Sequence, residues 1–253
     1  MAFEVAADAY DRYMGRYSAP LSVELLHALG PHPGERALDV GCGPGVLTAQ
    51  LVDLLGAEQV AALDPSPPFV EATRVRLPGV DVRLASAEEL PFDDDRFDLV
   101  LAQLVVPFLR APDRGVHEMA RVARPGAVVA ATAWNNAEAG GSPLSPFWAA
   151  AHDVDPGAHD ESTLVGVGDG ELVRILRSAG LDDVRQLRLT VSVAHPTFED
   201  WWEPYTFGVG PAGDYVAGLD DEQRGRLERR ARERLGDGPF HVSGSAWCAV
   251  GRA

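Results

Sequence analysis

The 253-residue sequence predicts an α/β fold: a doubly wound, seven-stranded, mostly parallel sheet with helical cap insertions. Two observations carry this reading. Apolar, strand-like runs alternate with helix-like stretches between residues 36 and 134, the order that covers a parallel sheet on both faces. The first run, "RALDV", then breaks into "GCGPG" before a helix begins, and a strand, glycine-rich turn and helix N-terminus together hold nucleotide-like ligands because bare backbone lets them approach. The length suits one α/β domain, so residues 1–253 read as a single unit.

The elements follow in order. Residues 36–40 form the first strand and Val46 to Leu55 its helix; residues 59–64 form the second, followed by a helix from Pro67 to Leu77. Residues 80–86 and 97–105 are the third and fourth strands, and Asp113 to Val122 the next helix. The fifth strand, 127–134, follows the turn "RPG". Residues 169–179 place Leu172, Ile175 and Leu176 on one helical face, closed by Gly180. Residues 184–193 and 245–251 supply the last two strands.

Three stretches stand outside the alternation: a helical cap at residues 1–30, a loop-rich insertion at 135–168, and a long insertion at 195–242. Segments of this kind, set beside a rigid sheet, carry specificity. The stretch "LDDEQRGRLERRARERLG" is rich in arginine, but acids interleave and Leu219, Leu227, Ala231 and Leu235 recur at helical spacing. It reads as a solvated amphipathic helix.

The net charge of −16 argues against a nucleic-acid partner and an anionic membrane surface. All 22 basic residues are arginine. The N-terminal "MAFEVAADAYDRYMG" has acids where a signal peptide needs basic residues, and no run is long enough to span a bilayer. Cys42 and Cys248 make neither a disulfide framework nor a metal set. The expectation is a cytoplasmic protein, a monomer or homodimer, with no metal.

A dinucleotide fold needs G-x-G-x-x-G, but here Gly41, Gly43 and Gly45 alternate and Val46 stands where the third glycine belongs. That spacing speaks against a nicotinamide dehydrogenase. Asp39 precedes the turn and Asp64 ends the second strand, where an acid can accept from both hydroxyls of a ribose. With "LDVGCGPG", "ALDPSPPFVEATRVR", "VRLASAEELPFDDDRFDLVLAQLVVPFL" and "HEMARVARPGAVVAATAW" in order over residues 36–134, the chain resembles the class I S-adenosylmethionine-dependent methyltransferases, whose fold is Rossmann-like. It is closest to their small-molecule branch, and "AYDRYMGRYS" resembles the cap segment found there.

The resemblance implies S-adenosylmethionine as cofactor and a role for each matching position. Gly41, Cys42, Gly43 and Gly45 would lie against the methionyl and ribose parts, with Asp39 fixing the turn. Asp64, with Pro65 beside it, would bind the ribose; Ser86, Ala87 and Glu88 would lie at the adenine and Gln103 near the methionyl end, with Tyr10 and Tyr13 as further cofactor contacts. Relatives often carry an aspartate where this chain has Ser86, and polar residues where it reads "LVVPF". The implied activity is methyl transfer to the oxygen or carbon of a small molecule by in-line displacement. A non-catalytic module that binds the same cofactor for assembly or regulation has the same motifs.

A hydroxyl acceptor benefits from a base, and histidine has the suitable pKa. His27, His32, His117, His152 and His195 are the candidates; His152, in "FWAAAHD" with Phe147 and Trp148 nearby, is the preferred one. Trp134, Phe147, Trp148, Trp201, Trp202 and Tyr205 are candidate walls for a planar or apolar acceptor, or else small cores that anchor the caps.

Overall fold

The computed structural model describes residues 7–253; positions 1–6 of the expected cap lie outside the described residues. Seven strands, β1 (Ala37–Val40), β2 (Val60–Asp64), β3 (Asp81–Leu84), β4 (Phe97–Gln103), β5 (Ala123–Trp134), β6 (Asp182–His195) and β7 (Phe240–Arg252), form one sheet in the order β3-β2-β1-β4-β5-β7-β6. The first five are parallel, and β7 runs antiparallel between β5 and β6. The chain reverses its winding direction between β1 and β4. Their carboxyl ends therefore open a crevice, the usual ligand position in an open α/β sheet.

Among the described residues ten α-helices flank the sheet: α1 (Ala7–Tyr10), α2 (Arg16–Leu29), α3 (Val46–Leu55), α4 (Pro67–Arg76), α5 (Pro112–Val122), α6 (Ser145–Val154), α7 (Glu171–Ser178), α8 (Phe198–Trp202), α9 (Gly210–Ala217) and α10 (Asp221–Leu235). Because side chains alternate across a strand, Leu99 and Leu101 of β4 enter one core while Val100 and Ala102 enter the other. The first core takes Leu47 and Leu51 of α3, α2 and the helices of the two insertions. The second takes Val116 and Met119 of α5 and Leu172, Ile175 and Leu176 of α7. Asp220 caps α10 in a capping box with Gln223, and Leu227 and Ala231 are its buried positions, so the arginine-rich segment is the solvated helix its spacing predicts.

The strand ends differ from the sequence reading for identifiable reasons. β6 and β7 run past 184–193 and 245–251 because they pair with each other from Asp182↔Arg252 to His195↔Phe240, which draws polar flanks into the ladder. β5 starts at Ala123, so the expected "RPG" turn lies within the strand, with Gly126 at φ +82°. β4 stops at Gln103 because Leu104 takes φ +62°, its N–H donating to the Thr132 carbonyl at 3.0 Å. β3 is an edge strand of four residues. No helix among the described residues is long and apolar enough to cross a membrane.

Candidate active site

The turn after β1 is set by its glycines. Gly41, Gly43 and Gly45 all have positive φ (71°, 54° and 89°), a region costly for residues with a Cβ. At Gly41 the space is also taken: a Cβ would sit 2.5 Å from Cγ2 of Val105. Side chains from α3 and α4 tie the turn down. Thr48 donates to Asp39 Oδ2 (2.6 Å), Thr73 to the Gly43 carbonyl (2.9 Å) and Arg76 to the Pro44 carbonyl (3.1 Å).

Asp39 and Asp64 close this half of the site from adjacent strands. Asp64 Oδ2 accepts from the Gly43 N–H (2.9 Å) and Oδ1 from the Ser66 N–H (2.8 Å), so one carboxylate joins the turn to the end of β2. Pro65 itself is exposed. Burial pushes Asp39 up to about 7 against its bond from Thr48, with the Asp64 charge adding to the shift. Burial also raises Asp64, opposed by the two amides. Two buried acids with no cation beside them favour a positively charged guest. Cys42 is buried and its thiol is pushed well above the usual range, so it is a packing residue of the turn.

At the far side of the crevice Ser86 donates to Glu88 Oε2, and Glu88 Oε1 accepts from the Arg110 N–H at 3.0 Å. This fixes the loop after β3 against the one after β4, with Ala87 buried between. Gln103 donates through Nε2 to the Ser18 carbonyl (3.1 Å), which orients its amide and leaves Oε1 buried without a partner among the described residues.

The caps meet over the ends of β4 and β5. Tyr10 lies over the glycine turn, within 4.0 Å of where a Gly43 Cβ would be, with its ring edge-on to Phe69 at 5.4 Å. Tyr10, Tyr13 and Met14 then line a cavity together with Leu104, Phe108, Trp134, Asn136, Glu161 and Gly210. Trp134 donates to the Met14 sulfur at 3.3 Å, which locks the cap to the end of β5. The Tyr13 hydroxyl is buried and has no partner among the described residues. Glu161, from a short helical turn at Glu161–Thr163, is only 5% exposed and accepts from Trp148 Nε1 at 2.8 Å. Burial pushes it up to about 7, with Trp148 opposing and Asp160 adding.

The expected acceptor walls divide. Trp134 lines the cavity, whereas Phe147, Trp148, Trp201, Trp202 and Tyr205 do not. Those five are buried in one aromatic stack, with Phe147 and Tyr205 parallel at 4.4 Å, so here they anchor the caps. Trp148 acts on the cavity only through its bond to Glu161.

His152, the preferred base, also needs correction. It sits one turn beyond Trp148 on α6, 3.1 Å from the Ala158 carbonyl and 3.6 Å from Asp160, outside the cavity lining. His195, by contrast, is buried between the Tyr17 hydroxyl and Asp200 (both 2.9 Å), and fastens α2 to the end of β6. Sequence reasoning missed Glu161, because "HDEST" reads as solvated loop and nothing local foretells its burial. Among the described residues no group of three or more His, Cys, Asp or Glu is placed to hold a metal ion.

Residues 38–131 match the family model described as a methyltransferase domain. An uncharacterised methyltransferase of Mycobacterium tuberculosis is 39% identical over 126 residues, 50% of this chain and 49% of that protein. The chain thus spans about half the length of the first curated relatives it matches. The fold is similar to that of the YcgJ protein from Bacillus subtilis, with a TM-score of 0.59 at 17% identity, covering 91% of this chain and 97% of that one. It is also similar to Haemonchus contortus phosphoethanolamine N-methyltransferase 2, solved in complex with S-adenosyl-L-methionine (TM-score 0.57, 17% identity, 92% of this chain and 52% of that one). With the turn, the acid-ended second strand and the sheet order in place, residues 38–131 form a methyltransferase domain similar to those of the class I S-adenosylmethionine-dependent methyltransferases.

Proposed function

We propose that this chain transfers a methyl group from S-adenosylmethionine to the oxygen of a small-molecule acceptor, by direct in-line displacement in the cytoplasm. The observation that carries this reading is the junction of the two halves at Tyr10, which packs over the glycine turn and also lines the cavity at the ends of β4 and β5. A donor in the crevice and an acceptor in the cavity are then neighbours.

The residues present fit the cofactor. Asp64 gives each oxygen to one backbone N–H, which leaves a lone pair on each for two vicinal hydroxyls. Gln103 Oε1 is a buried acceptor in want of a donor, as an ammonium group supplies. The Asp39 and Asp64 carboxyls, both raised by burial, are relieved by the cofactor's positive charge. When bound, the cofactor supplies an activated methyl group, so the protein's work is alignment and exclusion of water, and orientation alone is worth about 7–11 kcal/mol of barrier. The caps exclude water: Tyr13, Met14 and Trp134 are all under 10% exposed. Oxygen is favoured over carbon because the cavity contains a buried carboxylate able to take a hydroxyl proton.

The test is product formation. The purified protein is incubated with methyl-labelled S-adenosylmethionine and small-molecule extract, and label is followed into the organic phase. Label in a hydroxyl-derived methyl ether supports the reading. Tight cofactor binding with no transfer to any small molecule supports the non-catalytic module instead.

A further inference from the structure

We infer that Glu161, with the Tyr13 hydroxyl in the same cavity, is the polar anchor that receives the acceptor's hydroxyl and takes its proton, and that the acceptor is a small aromatic or similarly planar molecule with one protic oxygen. This rests on the methyl-transfer reading above and adds the residue and the acceptor class to it.

Three observations converge on one cavity. Glu161 is almost fully buried, yet only Oε2 has a hydrogen bond, from Trp148 at 2.8 Å. Among the described residues Oε1 has no hydrogen bond, and unlike the Tyr13 hydroxyl it is not a fully enclosed orphan, which turns it to the cavity that Glu161 lines. The hydroxyl of Tyr13 and Oδ1 of Asn136, whose residues line the same cavity, are buried without partners among the described residues. The lining thus holds unpaired oxygens, of which the Tyr13 hydroxyl can also donate, and a guest oxygen that donates to Glu161 and accepts from Tyr13 satisfies them, since buried polar groups left unpaired are costly. The remaining walls are apolar or aromatic, including Tyr10, Phe108 and Trp134, which suits a planar body.

The charges around Glu161 fit proton transfer. Tyr10 and Tyr13 line the same cavity, Tyr205 packs edge-on against Tyr13, and Asp160 is its neighbour in sequence. None is a cation, so the Trp148 N–H alone opposes burial in favouring the carboxylate. Burial places its pKa at about 7, the range in which a base is both available and strong enough. Trp148 is the positioning residue, since its indole N–H fixes Oε2 and turns Oε1 inward.

The step balances. The acceptor's O–H proton passes to Glu161 Oε1, and an oxygen lone pair forms the new O–C bond to the methyl carbon. The S–C bond breaks with its electron pair left on sulfur, so sulfonium and carboxylate are both neutral afterwards. Glu161 returns its proton to solvent when the product leaves.

The experiment is calorimetric titration of wild-type and Glu161→Gln protein, each saturated with S-adenosylhomocysteine, using phenol, fluorobenzene and benzylamine as probes at pH 6 and pH 8. Phenol should bind the wild type at least tenfold more tightly than fluorobenzene, its near-isostere without a donor. Its affinity should rise between pH 6 and pH 8 as Glu161 ionises, and Glu161→Gln should flatten that rise and weaken binding at pH 8 by three- to tenfold. Tyr13→Phe should weaken phenol and spare fluorobenzene. Equal affinity for phenol and fluorobenzene, a pH profile unchanged by Glu161→Gln, or no binding of phenol overturns the inference. Tighter binding of benzylamine than of phenol overturns the hydroxyl class in favour of an amine. Saturation with S-adenosylhomocysteine is measured first, so failure of the cofactor reading is seen separately.

Discussion

The two halves of the crevice are built on different principles. The cofactor half consists of residues close in sequence: the turn at 41–45, the acid two residues before it, and an acid at the end of the next strand, joined by backbone hydrogen bonds such as Gly43 N–H to Asp64. The acceptor half draws Tyr10 and Tyr13 from before the sheet, Trp134 from its middle, Glu161 from the first insertion and Gly210 from the second. One half is specified by local conformation, the other by how separate insertions pack. The first tolerates little change in backbone. The second can change its chemistry by one side chain.

The largest effect is expected where backbone and packing coincide. Gly41→Ala puts a Cβ on a residue at φ +71° and within 2.5 Å of Val105. Left-handed strain and overpacking together should cost about 2–5 kcal/mol in urea denaturation. A loss under about 1 kcal/mol means that the turn relaxes, and the contrast between the halves weakens.

Asp64→Ala comes next and acts on the ligand. Bonds to a charged group are worth about 1.5–3 kcal/mol, so affinity for S-adenosylhomocysteine should fall roughly ten- to a hundredfold. Because Asp64 also holds the Gly43 and Ser66 amides, a lower melting temperature should accompany this. Reduced stability with unchanged affinity assigns Asp64 to the fold alone.

The acceptor half should show itself through pH. Glu161 is raised from 4.5 to about 7 in the folded protein, so the native state holds its proton more tightly than the unfolded chain does. The stability this gives is complete below pH 4.5 and is lost as pH rises through 7. Glu161→Gln cannot ionise, and should gain on the wild type between pH 5 and pH 8 by at most about 3 kcal/mol. A difference that is constant with pH removes the buried-carboxylate argument. The smallest effect belongs to His152→Ala: with its ring outside the cavity, ligand affinity should change less than twofold, and a tenfold loss restores it as a site residue.

This contrast explains what was legible in the sequence. The turn, Asp39, Asp64 and the order of strands could be read because glycine spacing and apolar alternation are local signals. The fastening of Asp64 to Gly43 follows from that spacing. The role of the aromatics could not be read, because Phe147, Trp201 and Tyr205 in a core and Trp134 in a cavity have the same composition and differ only in tertiary position. Glu161 was hidden for the opposite reason, as an acid in a polar loop that becomes buried only when Trp148 on α6 is placed against it. The long ends of β6 and β7 were missed because polar residues such as His195 enter the ladder through pairing and not through apolar pattern.

The central claim is that the glycine turn and Asp64 serve S-adenosylmethionine and not another nucleotide. Thermal unfolding of the full chain with S-adenosylmethionine, S-adenosylhomocysteine, NADH or ATP tests it most directly, because a ligand that binds only the folded state raises the melting temperature. Both sulfur-containing ligands should raise it in a concentration-dependent way, and NADH and ATP should leave it unchanged. A rise with NADH and none with S-adenosylmethionine would contradict the account.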